Sequence, residues 1–186
     1  MSVFHINLKP IVAAAALTVW FSAPVAAQSE GMDDLFARLK SAEPADAALI
    51  EREIEMEWRK SGSPAMDLLL KRGREAMEAE DFAAAIDHFT ALSDHAPGFA
   101  EGWHGRAQAY VRTERMGPAV ADLKRVLSIN PRQFHAIYGL GTLFEQIDRP
   151  DQAYDAYRLV LDLYPHHEDA QERLNRLEKD VNGVEL

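Results

Sequence analysis

Residues 98–131 read GFAEGWHGRAQAYVRTERMGPAVADLKRVLSINP, and this stretch decides the fold. Trp103, Ala107 and Tyr110 stand at spacings of four and three, and Ala119, Leu123 and Val126 do the same after Pro118, so two short amphipathic helices follow one another. Working outward in steps of 34 residues, the same types return. Pro97, Pro131 and Pro165 close three units. Ala85, Ala119 and Ala153 are in phase, as are Phe89, Leu123 and Tyr157, and Leu92, Val126 and Val160. Earlier in each unit Leu69, Trp103 and Ile137 recur, then Gly73, Ala107 and Gly141, then Ala76, Tyr110 and Phe144. Six columns besides the prolines, in register over three units, mark an internal repeat. No sustained period-two alternation competes with it, so the chain is expected to be all helical.

The columns resemble the tetratricopeptide repeat, whose pattern is W-x2-L-G-x2-Y, then A-x3-F, then P. The middle unit fits best, with Arg106 in place of the usual leucine. The first is weakest, because Arg72 and Ala76 replace leucine and tyrosine. The resemblance implies an all-α, right-handed superhelical array of three helix hairpins, at 63–97, 98–131 and 132–165, with capping helices at both ends.

Physical reasons for the columns stand beside the family pattern. Small residues at Gly73, Ala107 and Gly141, opposite Ala85, Ala119 and Ala153, let two helices approach closely, while aromatic and branched residues fill the space to the next hairpin. Asn130-Pro131 reads as an N-cap followed by a first-turn proline, and Pro118 and Pro150 fall in the first turns of second helices. A stacked array leaves an apolar face at each end that must be covered. At the C-terminus, 166–180 carries Ala170, Leu174 and Leu177 on one stripe and is expected to be the capping helix, followed by a tail at 181–186. Before the array, 28–62 holds Leu35, Phe36 and Leu39, then Ala47, Ile50, Ile54 and Trp58 on one face. Glu51 stands where the small-residue column would place alanine, so this segment is expected to be a degenerate N-terminal cap, with a separate docking arm as the alternative.

The 186 residues include no cysteine, which removes disulfides, thiolate metal sites, thiol catalysis and lipid anchoring through a cysteine. A net charge of −10 opposes binding to nucleic acid or anionic lipid. At the N-terminus, Lys9 precedes an apolar run from Ile11 to Phe21, then Ser22, Pro24 and the small residues Val25-Ala26-Ala27. This layout is a signal peptide over 1–27, cleaved after Ala27, which implies a periplasmic or secreted protein.

Catalytic patterns are absent from the sequence: there is no Gly-rich phosphate loop, no H-E-x-x-H and no G-x-S-x-G. No enzyme activity and no cofactor is expected. His166-His167-Glu168-Asp169 is the densest run of metal-ligand types, but neighbouring residues at a helix start point in different directions, so no metal site is assigned to it.

In the family that this sequence resembles, first helices line a concave groove, and the resemblance implies a protein or peptide partner there. The positions offset from the buried stripe are Asp67, Leu70, Arg74 and Met77; Glu101, His104, Gln108 and Val111; and His135, Tyr138, Thr142 and Glu145. Of these, Leu70, Arg74, Met77, His104, Gln108, Val111, Tyr138, Thr142 and Glu145 are the candidate partner-binding residues, with His104 and Tyr138 expected in the open groove and Trp103 in the core. Family members that grip chaperone C-termini use a lysine and asparagine clamp. Here Leu70, Arg74, Gly105, His135 and Gly139 stand at those places, so that specificity is not implied. The sequence thus reads as an exported adaptor. The alternatives are a homo-oligomerising structural subunit docking through Leu35 to Trp58, or an accessory to an envelope enzyme or biogenesis system.

Overall fold

The computed structural model describes residues 25–183, and among them every regular element is an α-helix. The apolar run at 11–21 and residues 184–186 lie outside the described residues, and so does most of 1–27, the segment read as a signal peptide. Three antiparallel hairpins form the array: α3 (Pro64–Glu78) with α4 (Phe82–His95), α5 (Ala100–Arg112) with α6 (Met116–Ile129), and α7 (Phe134–Gln146) with α8 (Pro150–Leu163). They are preceded by α1 (Val25–Ser41) and α2 (Pro44–Trp58) and followed by α9 (Glu168–Gly183). Helix α9 packs on α8, as a C-terminal cap should, and runs three residues into the segment read as a tail.

The turns inside the hairpins repeat as faithfully as the side chains. Glu80, Glu114 and Asp148, each 34 residues from the next, adopt φ near +57°, the left-handed conformation that closes a helix C-terminus. The following amide then donates back to the carbonyl five residues earlier: Asp81 to Ala76, Arg115 to Tyr110 and Arg149 to Phe144, at 2.8–2.9 Å. Asn130 proves to be the C-cap of α6, not an N-cap, because Pro131 and Arg132 form a turn before α7 starts at Phe134 under Gln133.

Phe89, 1% exposed, shows why the hairpins close where they do. An added Cβ on Gly73 would meet its ring at 2.4 Å and one on Gly105 at 2.5 Å, so α3 and α5 converge on one phenyl group from two sides. At Arg106, the departure from leucine is resolved by a bidentate pair with Asp122, at 2.7 and 2.9 Å, and a bond to Thr90 at 3.2 Å. The pair ties α4, α5 and α6 together. Its guanidinium lies 4.8 Å from the centre of the Trp103 ring, and Trp103 is only half-buried, with Nε1 donating to the Pro97 carbonyl at 3.2 Å. Arginine thus covers the indole that the sequence placed in the core.

The N-terminal hairpin is the principal departure from expectation. It does not cover α3–α4. Leu35, Phe36 and Leu39 of α1 and Ala47, Ile50 and Ile54 of α2 share one core with Phe134, Ile137, Tyr157, Val160 and Tyr164 of the third hairpin and with Ala170, Leu174 and Leu177 of α9. Phe134, fully buried, meets Trp58 at 5.0 Å, Phe36 at 6.3 Å and Tyr164 at 5.5 Å between ring centres. The cause is chemical. At the first hairpin, Arg72 and Ala76 offer little to an apolar stripe, whereas the third offers five aromatic or branched side chains. At the other end of α2, the Ser61 amide and hydroxyl both donate to Asp67, which fixes the linker to α3 at Gly62, where φ is +77°.

Candidate functional site

The first helices of the three hairpins and the C-terminal turn of α2 enclose a cavity of about 650 Å³ on the concave side. Its floor follows the repeat. Phe89 lies beneath Gly105, and 34 residues on Leu123 lies beneath Gly139, 3.3 Å from where a Cβ would stand. A side chain at either glycine would press on this floor. Of the candidate binding residues, Leu70, Arg74, Met77, His104, Gln108, Val111, Tyr138 and Thr142 line this space. Leu70 contributes as buried floor, Gln108 is exposed, and the Thr142 hydroxyl is turned to the Gly139 carbonyl at 2.8 Å. Asp67, committed to Ser61, does not line it.

His104 differs from its expected position in the open groove: it is 8% exposed. Gln133 closes over it. The Gln133 Oε1 accepts from the Ala136 amide at 2.7 Å, so its NH2 group faces His104 Nδ1 at 3.1 Å and Glu101 at 3.3 Å. Nδ1 must therefore accept, and the imidazole carries its proton on Nε2. Burial, opposed by the nearby Glu101 charge, pushes this histidine below its usual 6.5, and it stays neutral at pH 7. Tyr138 is half-buried, tilted against Tyr157 at 5.5 Å and stacked on His167 at 5.0 Å.

Glu145 does not reach the cavity. Its carboxylate accepts from the Tyr157 hydroxyl and from Arg173, both at 2.9 Å, and from Arg176. Burial alone would raise its pKa, but Arg176, Tyr157 and Arg173 together hold it below the usual carboxylate value. It fastens α9 to the third hairpin, a role signalled by two arginines three residues apart on α9. Burial, helped by the same contact, pushes the Tyr157 phenol up.

The sequence reading missed the wall formed by α2. Glu55, Trp58 and Arg59 line the cavity opposite the array. His135 Nε2 meets Glu55 Oε1 at 2.9 Å, and this bond lowers the Glu55 pKa. Gln133 was also missed, for nothing but its place before a helix marks it. The His166-His167 run does not converge: His166 Nε2 is 3.0 Å from the Ala42 carbonyl, and His167 Nδ1 accepts from the Ala170 amide.

A tetratricopeptide-repeat model matches residues 70–133 and a second matches 135–167. A TPR repeat-containing protein of Rhizobium etli is 31% identical over 153 residues, covering 82% of this chain and 75% of that relative. The chain belongs to the tetratricopeptide-repeat family. Among further relatives, sperm-associated antigen 1 of Mus musculus is 26% identical over 114 residues, which are 61% of this chain and 12% of the mouse protein. The first TPR of Spaghetti (RPAP3), solved with the HSP90 peptide SRMEEVD, superposes with a TM-score of 0.60 at 22% identity, over 63% of this chain and 93% of that one. This tetratricopeptide likeness is one of fold.

Proposed function

We propose that the protein is an exported adaptor without chemistry of its own, which holds a short peptide segment of a partner protein in the concave cavity. One observation carries this reading: columns related by the 34-residue step converge on a single cavity, floored by Phe89 and Leu123 and rimmed by Arg74, Gln108 and Thr142. An apolar floor with a few polar groups at the rim suits an extended peptide, whose backbone needs hydrogen bonds and whose side chains need cover. Binding of a peptide by the Spaghetti (RPAP3) domain supports the same use of the fold. The acidic surface argues against nucleic acid as the ligand. The export reading rests on Lys9, the apolar run and Val25-Ala26-Ala27. In the oligomer alternative, Leu35 to Trp58 would dock on a neighbour, but Leu35, Phe36, Leu39, Ala47, Ile50 and Ile54 are packed within the chain, which leaves only Leu49 and Met56 as large exposed apolar side chains there.

A photo-crosslinker placed at Gln108 in cells tests the cavity, with Lys124 on the outer face of α6 as the control position. A defined protein partner should be captured from Gln108 and not from Lys124. Equal capture from both would remove the groove as the binding surface. N-terminal sequencing of the protein from the periplasmic fraction tests export: a start at Gln28 is expected, and intact Met1 in a cytoplasmic or membrane fraction would refute it.

A further inference from the structure

The joint between α2 and α7 gathers three side chains that peptide binding does not call for. Glu51 and Glu55 are one helical turn apart on α2, so their carboxylates leave the same face. His135, the second residue of α7, reaches both. Its Nε2 lies 2.9 Å from Oε1 of Glu55 and 3.7 Å from Oε1 of Glu51, and one ligand atom from each of the three falls within 4.8 Å of the others. The remaining carboxylate oxygens are held from outside the group. Tyr164 donates its hydroxyl to Glu51 Oε2 at 3.1 Å, and Arg59 pairs with Glu55 Oε2 at 2.8 Å.

An ion pair accounts for His135 with Glu55, but it does not account for a second carboxylate brought to the same nitrogen with its far oxygen fixed. Outer hydrogen bonds that orient two carboxylates onto one imidazole are the arrangement that metal ligands require. Zinc bonds to nitrogen and oxygen of about 2.0–2.2 Å place neighbouring donors roughly 3.4 Å apart, and the observed separations straddle that distance. Side-chain exposures of 25% for Glu51 and 28% for Glu55 and His135 leave a path from solvent and a coordination position for water. The imidazole selects the class of ion, because magnesium and calcium prefer oxygen ligands alone.

We propose that Glu51, Glu55 and His135 bind a divalent transition cation of the zinc class, which pins α2 to α7. The ion closes the end of the cavity that Glu55 and His135 line, and it adds a polar tie to the apolar core that attaches the N-terminal hairpin.

Untagged protein, stripped with chelator and titrated calorimetrically with zinc chloride, tests the site, with magnesium chloride as the control. One zinc per chain and no magnesium binding are expected. His135→Ala and Glu55→Gln should each weaken zinc at least about tenfold, and Tyr164→Phe, a positioning change, about tenfold. His166→Ala/His167→Ala should leave it unchanged. Cobalt(II) should give the intense visible bands of a four-coordinate ion in the parent protein and not in Glu51→Gln, which alters one atom and keeps the fold. Zinc below one equivalent, affinity unaltered in His135→Ala and Glu51→Gln, or affinity lost in the His166/His167 variant would each overturn the proposal. Crosslinking from Gln108 would be unaffected by that failure.

Discussion

The first hairpin, α3–α4, and the third, α7–α8, are built on one repeat and live in different surroundings. Helix α3 buries Leu70 and Gly73, while α7 buries Phe134, Ala136, Ile137, Leu140, Gly141 and Leu143. The third hairpin is covered by α9 and also by α1–α2, whereas the core of the first is shared with the second hairpin alone. Similar backbone geometry therefore carries unequal burial, and the inequality comes from what each hairpin is given to pack against. Nearest-neighbour stacking accounts for the first. At the third, a non-neighbour has been recruited.

The comparison is broken most severely at Phe134. Phe134→Ala empties the centre of the joint and should cost about 3–5 kcal/mol, with the melting temperature falling sharply and α1–α2 losing protection from hydrogen exchange. Retained protection there would show that the aromatic cluster is not what holds the hairpin. Next comes the polar tie of the middle unit. Arg106→Ala strands the buried Asp122 carboxylate, and breaking such a pair costs about 3–5 kcal/mol, a figure to be discounted because the guanidinium is partly solvated. Arg106→Leu with Asp122→Ala should recover most of the loss. A double variant as unstable as the single would mean that the arginine acts through Trp103 instead. Smaller again is Gly105→Ala, which drives a methyl group into Phe89 and should destabilise the joint of the first two hairpins by about 1–3 kcal/mol, measured by denaturant midpoint. The effect should fall on α3 and α4 and leave the third hairpin's protection unchanged.

Acid should separate the regions too. Burial holds His104 and His167 below the usual histidine value of 6.5, so the unfolded chain takes up protons first. Stability from these groups is complete above pH 6.5 and is lost as the pH falls beneath it. Glu55 and Glu145, held below 4.5, contribute stability above that pH and lose it as the pH drops through their folded values. All four lie in the second and third hairpins, their cap or α2. Protection of α3 should therefore change least between pH 7 and 5, and a uniform loss across the array would contradict the assignment. The smallest effect is expected at Arg74→Ala and Gln108→Ala, on the rim, where stability should move by about 0.5 kcal/mol or less while partner capture falls.

The hairpins were legible because each column repeats a side-chain role at a fixed step, and the small residues at 73, 107 and 141 admit few geometries. The position of α1–α2 was not legible. An apolar stripe such as Ile50, Ile54 and Trp58 states that a face needs cover, and it does not say which surface supplies it. His104 shares a column with Leu70 and Tyr138, so its phase was read correctly, but its burial depends on Gln133 from another repeat folding over it. Glu145 was grouped with Met77 and Val111 by phase alone, and only α9 reveals its partners. Side chains governed by their own helix could be read, and those governed by a distant one could not.

The route of the chain through α2 has a consequence for how the molecule comes apart. The linker fixes one end of α2 to α3, while its side chains grip α7 and the end of α8, as in the bond from Tyr164 to Glu51. The array is thereby closed into a circuit spanning three units. A linear stack can peel from its ends one unit at a time, but a closed circuit must open at its clasp before any unit is freed. The clasp also acts as a ruler: a fourth 34-residue unit inserted at Gly98 would carry α7 out of its reach. A protein of this plan should lose its clasp before it loses any one hairpin, and its number of repeats is set by the length of one helix.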